Sequence, residues 1–337
     1  MADESAAAVP RRMLSLDTLR GVAIIAVLIS HLFSTMRLGE TADQALIALG
    51  RGGVTLFFLL SGYLIFRNVQ VQSFSTFISR RFFKLMPAYW LNIIVILMAD
   101  LTIDTFTHFP LRSYLASFLA VSDVLGIEAV SGVFWTLLIE IKFYVVIAIQ
   151  YALLGRRHIH SIFAALVAFG VLAWAIRGHG SQTLAYFPVF YLGIEIRLAE
   201  EEHWSRRALA RVAAVMTALA VSLYLTLDQF KLGSAGYLVV STVLFVVVLH
   251  GDFSNRVIGF LGLTSYSNYL FHSLAAGCVF ATLGMQQGAA AIAVIAVAFI
   301  VASAAAVVLY HAVEVPMVDL GRRVTARFGC REPPSRT

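Results

Sequence analysis

The chain has 337 residues, 60% hydrophobic and 13% charged, with a formal net charge of +6. A water-soluble domain carries about 25% charged residues, so an ordinary soluble enzyme is excluded, and a mean hydropathy of +0.84 indicates an all-α polytopic membrane protein. Two cysteines, Cys278 and Cys330, make neither a disulfide framework nor a thiolate metal cluster.

A membrane span takes about 20 mainly apolar residues. In chain order the sequence offers about ten transmembrane helices: 14–36, 50–67, 85–105, 131–154, 161–177, 183–199, 209–227, 233–250, 257–283 and 289–312. Arginines precede the first run, as in a signal peptide. The run is too long and ends without a small-residue cleavage site, so it is expected to stay as a mature helix. The domain reading is a short cytoplasmic segment over 1–13, a transmembrane domain over 14–315 and a basic cytoplasmic tail over 316–337. With both termini cytoplasmic, 18 of the 25 Lys and Arg residues fall on inner segments and 4 on outer ones. That bias obeys the positive-inside rule. The net positive charge therefore reflects topology and membrane lipids, with no nucleic acid implied.

The first span, "LDTLRGVAIIAVLISHLF", carries Asp17, Arg20 and His31. Eleven residues from Arg20 to His31 are three helical turns plus about 20°, so both lie on one face, about 16 Å apart along the axis. Asp17 is one turn before Arg20, on nearly the same face. A charge at mid-membrane costs about 2.5–3.5 kcal/mol on insertion scales, so this stripe is expected to face a protein interior or a wet cavity. Asp17 and Arg20 can pair. They can equally sit as an interfacial pair at the cytoplasmic edge. His31 fits either a neutral histidine bonded to a backbone carbonyl or a general base or proton relay.

Between the second and third spans, "FSTFISRRFFKLMPAYW" combines Arg80, Arg81 and Lys84 with Tyr89 and Trp90. One reading is positive-inside anchoring with an aromatic belt. The other is a phosphate site, because guanidinium groups grip phosphates in a bidentate way. In "GVFWTLLIEIKFYVV", Glu140 and Lys142 lie near mid-span on different helix faces, and Glu140 is expected to contact Arg20 or His31. The alternative is a salt bridge that only holds helices together. Arg51 is expected to snorkel outward. His158 and His160 lie in a basic inner loop and read as solvated. His311 and Glu314 are too weak a pattern for a metal site. Trp135, with Tyr269 and His272 of "SYSNYLFHSLAAG", are the candidates for holding an acceptor in a polar cavity.

In combination these blocks resemble the membrane-bound acyltransferase family 3, the O-acyltransferases of sugars and related acceptors. "LDTLRGVAIIAVLISH" is similar to the family's opening block, with Arg20 and His31 spaced as in the family. "GGVTLFFLLSGYLI" resembles its second-helix block, and "FISRRFFKLMPAYW" its basic motif. "FWTLLIEIKFY" resembles the block holding an acidic residue, here Glu140. "SYSNYLFH" and "VEVPMVDL" resemble the late blocks, at His272, Glu314 and Pro316. Three departures stand out: Thr55 where an acid is frequent, Lys84 in place of a second arginine, and Lys142 where a second acid is common nearby.

The resemblance implies a multi-pass enzyme of the bacterial cytoplasmic membrane, with acyl-CoA, most often acetyl-CoA, as donor and a carbohydrate or glycoconjugate as acceptor. No metal is implied. On that reading CoA docks at Arg80, Arg81 and Lys84 beside Tyr89 and Trp90. His31 acts as base or transient acyl carrier, Arg20 stabilises the oxyanion, and Glu140 or Asp17 orients or charge-balances the site. The competing class is a proton-coupled secondary transporter. Against it, the sequence displays no inverted repeat and no pair of broken helices.

Overall fold

Hydrocarbon offers no water to backbone N–H and C=O groups, so apolar stretches close their own hydrogen bonds as helices. The structure, a computed structural model, describes residues 11–36, 38–102, 108–179, 181–227, 231–251, 253–284 and 288–327. The expected segment 1–10 and the end of the basic tail, Cys330 included, lie outside the described residues. Among the described residues there are fifteen α-helices and no strand.

Eight of the ten expected spans appear as helices long and apolar enough to cross a membrane. They are α1 (Arg11–Phe33), α2 (Glu40–Val71), α3 (Phe74–Thr102), and, past two short helices, α4 (Leu111–Phe118) and α5 (Ser122–Leu125), α6 (Phe134–Leu154) and α7 (Ile159–Arg177). After α8 (Gln182–Tyr186) and α9 (Val189–Glu201) come α10 (Arg206–Thr226) and α11 (Lys231–His250). Then follow α12 (Arg256–Leu263), α13 (Ser265–Leu283), α14 (Gly288–Leu309) and α15 (Val315–Arg327). The eighth span runs from α14 into α15.

The other two expected spans are broken. The 183–199 segment divides into α8 and α9 at Phe187 and Pro188, where proline cannot supply the helical N–H. Ten of the thirteen residues of α9 are buried. A helix apolar all round belongs inside protein and need not cross the bilayer. The 257–283 segment divides at Thr264 into α12 and α13. The Asn255 side chain starts α12 by accepting from the Val257 and Ile258 N–H groups at 2.9 and 3.0 Å. The expectation of unbroken helices therefore fails at two places.

Both interruptions are locked by close helix crossings. A Cβ on Gly62 would fall on the Phe190 carbonyl and one on Gly193 on the Leu59 carbonyl, so α2 and α9 touch backbone to backbone. Gly21 and Gly262 do the same for α1 and α12, against the carbonyls of Ile258 and Asp17. Small residues at such crossings are how helices pack where lipid removes the hydrophobic drive.

The link between α3 and α6 folds back along α3. Near its far end Asp100 accepts from the Tyr114 hydroxyl at 2.7 Å and the Phe109 N–H at 3.2 Å. Further down α3, Tyr89 donates to the Ser117 carbonyl at 2.6 Å and Trp90 to the Phe118 carbonyl at 3.0 Å. Lys142 of α6 is paired with Asp123 of α5. Arg51 does not simply snorkel: it hydrogen-bonds the facing Tyr186 and Tyr237 hydroxyls. His160 is not merely solvated either. With Arg211 it flanks the buried Glu195 carboxylate, at 2.8 and 2.7 Å.

Candidate active site

Four helices converge on the Asp17–Arg20 turn of α1. Asp17 holds the Arg20 guanidinium at 2.6 Å, as the i,i+3 spacing allows. α3 presents Arg80, Arg81 and Lys84, α13 begins with Ser265 and Tyr266, and α15 closes the side with Arg322. These residues line a vestibule of about 460 Å³. Five cations, Arg20, Arg80, Arg81, Lys84 and Arg322, face two carboxylates, Glu314 and Asp319. Both carboxylates have local partners. Asp319 takes Arg322 at 3.1 Å, and Glu314 accepts from the Ser267 N–H at 2.9 Å and from its hydroxyl.

Glu314 reaches α13 because the last span is wound loosely there. Pro316 cannot donate to the carbonyl four residues back, and the helix opens into a π turn over Tyr310–Glu314, with the Val315 N–H bonded to the Tyr310 carbonyl. The buried carboxylate then takes up an N–H at the start of α13, a favourable place for negative charge. His311 stays exposed with its ring against Tyr310.

A smaller chamber of about 110 Å³ continues from the vestibule, sharing Arg20, Arg81, Lys84, Ser265 and Tyr266 with it. One water occupies about 30 Å³ of liquid, so the chamber suits a small group. Its polar wall is Ser61, Glu140, Tyr144, Thr136 and Tyr269; its apolar wall includes Val54, Phe57, Phe58 and Leu137. The expected contact of Glu140 with Arg20 or His31 is not made. Its carboxylate accepts from Ser61 of α2 at 2.6 Å and from Tyr144 one turn along α6. Arg20, already engaged by Asp17, faces Glu140 across the shared space.

Arg81 carries an unmet donor in the vestibule. Its guanidinium lies 5.7 Å from the Phe77 ring centre and 5.8 Å from that of Tyr144, and its buried Nε has no hydrogen-bond partner. An orphaned buried donor is costly, and an anionic ligand would relieve it. The charges of Arg20, Arg81, Glu140 and Glu314 all act on Lys84.

Tyr89 and Trp90, expected beside the donor, are turned to α4 and line neither cavity. Trp135 also lines neither; its ring packs on Tyr186 at 5.4 Å. Tyr269 lines the chamber, bonded to the Thr136 hydroxyl and donating to the Val133 carbonyl at 3.1 Å. The His272 ring lies 6.1 Å from that of Tyr269 and 5.0 Å from that of His31. His31 is exposed and lines neither cavity. Tyr269, which lines the chamber, and His272, which packs on His31, both belong to α13. Sequence reasoning missed Ser61, Tyr144, Tyr266 and Arg322. Arg322 was signalled by the "GRRVTAR" run, which reads as tail until α15 is seen folded against α3.

A family model described as an acyltransferase domain matches residues 13–311. Nodulation protein 10 of Rhizobium leguminosarum bv. viciae is 25% identical over 225 residues, which are 56% of this chain and 60% of that protein. The chain thus spans less than two thirds of that curated relative. No solved structure matches. With a match over nearly its whole length and a polar cavity system set among membrane-spanning helices, the chain belongs to the acyltransferase 3 family.

Proposed function

We propose that the chain moves an acyl group, by default acetyl, from cytoplasmic acyl-CoA to a hydroxyl of a sugar or glycosylated acceptor. One observation carries the reading: a vestibule of five cations, one with an orphaned buried donor, opens into a small chamber. A nucleotide bearing several phosphates and a long neutral arm ending in a thioester matches that sequence of environments. The phosphates pair with Arg80, Arg81, Lys84 and Arg322. The arm passes Arg20 and Tyr266, and the acyl group lies between Glu140 and Tyr269. Opening of the Tyr269–Thr136 contact brings it to His31.

There the acceptor oxygen attacks the thioester carbon while His31 takes its proton. The carbon–sulfur bond breaks, and the proton returns to the departing thiolate. Arg20, held by Asp17, lies about 16 Å along α1 from His31, so it orients the donor arm, and a backbone N–H near His31 meets the charge that develops on the carbonyl oxygen. A covalent variant places the acyl group on His31 first. The test is purified protein in detergent with labelled acetyl-CoA and a panel of sugar acceptors, followed by mass spectrometry. Transfer that disappears in His31→Ala supports the reading, and transfer retained in that variant removes His31 from the chemistry. Label on His31 without acceptor selects the covalent variant.

The two broken segments favour one second reading, a proton-coupled secondary transporter, since interrupted helices mark carrier sites. Substrate uptake into proteoliposomes driven by a proton gradient, with no acyl transfer and no thermal stabilisation by acetyl-CoA, would establish it instead.

A further inference from the structure

α13 carries a buried imidazole against the one proposed as base. His272 is 1% exposed, and its ring centre stands 5.0 Å from that of His31, with the planes at 85°. Its Nδ1 lies 2.8 Å from the Tyr269 carbonyl and 3.1 Å from the Asn268 carbonyl. Carbonyls only accept, so Nδ1 holds the proton and Nε2 keeps its lone pair. The Nδ1 edge faces α13's own backbone, and Nε2 has only a long contact within that helix, 3.4 Å to the Ser273 hydroxyl.

His31 makes no ion pair with a carboxylate among the described residues. A base without an orienting partner samples several ring positions, which wastes catalysis. Two imidazoles joined by an ordinary N–H···N bond have centres about 5 Å apart, so a turn of one ring joins this pair.

We propose that His272 is a positioning residue for His31: its Nε2 accepts the His31 ring N–H, fixes that ring, and leaves the other His31 nitrogen free to take the acceptor's proton. The inference rests on the acyl-transfer reading and deepens it. The acceptor's proton goes to His31, the oxygen–acyl bond forms as the carbon–sulfur bond breaks, and His31 passes the proton to the thiolate. His272 neither gains nor loses a proton overall.

The test compares His272→Phe and His272→Gln with wild type in detergent, with kcat and both KM values measured. Phenylalanine keeps a buried ring without an acceptor. Glutamine keeps an acceptor near the place of Nε2. General-base catalysis contributes 10²–10⁴-fold, so kcat should fall about 100-fold in His272→Phe with both KM values nearly unchanged, and His272→Gln should recover much of it. A merely packed His272 predicts the opposite order, because phenylalanine suits an apolar site better; that order overturns the proposal. Should His272→Phe fail to fold, nitrogen-15 NMR of the wild type decides. An Nδ1-protonated His272 bonded to the His31 N–H supports it, and an Nε2-protonated His272 overturns it. Absence of any transfer by wild type defeats the acyl-transfer reading itself. Transfer lost in His31→Ala but intact in His272→Phe defeats only the positioning role.

Discussion

Replacing Arg81 with glutamine isolates the donor site. Arg81 is one of five cations facing two carboxylates in the vestibule, so the substitution takes the local formal charge from about +3 to about +2 while keeping a side chain of similar reach. A hydrogen bond to a charged group contributes about 1.5–3 kcal/mol. At about 1.4 kcal/mol per decade, the donor KM should rise about 10–150-fold. The cost in stability is small, because the buried Nε has no partner to lose. Only the two ring contacts vanish, at about 0.5–1 kcal/mol each. Initial rates with donor and acceptor varied separately, together with calorimetric binding of CoA, read both quantities. A donor KM unchanged beside a raised acceptor KM refutes the reasoning, since the vestibule would then serve the acceptor.

Other substitutions test other parts of the structure. Asp17→Ala leaves Arg20 without its 2.6 Å partner and should lower kcat more than it raises either KM, measured in the same assay. Gly62→Val sets a side chain on the Phe190 carbonyl and should cost several kcal/mol, since overpacking typically costs about 1–3 kcal/mol and here backbone must move; recovery of monodisperse protein by gel filtration reads it. Lys142→Met leaves Asp123 with only Thr183 and should lower the unfolding midpoint. The double variant with Asp123→Asn should regain most of the loss, and equal midpoints for the single and double variants would argue against the pair. Tyr114→Phe removes a hydroxyl from the buried Asp100 and should cost about 1–3 kcal/mol, seen as a lower unfolding midpoint with unchanged donor KM.

Hydropathy made eight spans legible, and helical spacing made the Asp17–Arg20 pair and the clustering of Arg80, Arg81 and Lys84 legible. Hydropathy could not separate a helix facing lipid from one buried in protein, so α9 read as a span although it lies inside. Trp90 was misread for want of a wheel: nine residues past Arg81 are about half a turn around the helix, so it faces away from the basic vestibule. The Tyr144 partner of Glu140 is legible as an i,i+4 pair within α6, but the Ser61 partner depends on how α2 and α6 meet, which no spacing within either helix contains. Arg322 joined the site only because the π turn and Gly321, packed on Phe83, lay α15 along α3.

The clasp between Tyr269 and Thr136 bears on how a bilayer stays sealed around such chemistry. A continuous wet passage from the basic vestibule past the two histidines would let protons run down the membrane potential, releasing about 2.3 kcal/mol per charge for every 100 mV. Thr136 and Tyr269 are hydrogen-bonded in the lining of the chamber, and neither histidine lines it. On the proposed route of transfer this gives an airlock: the acyl arm would plug the gap it opens, and a variant whose clasp stood ajar would leak protons.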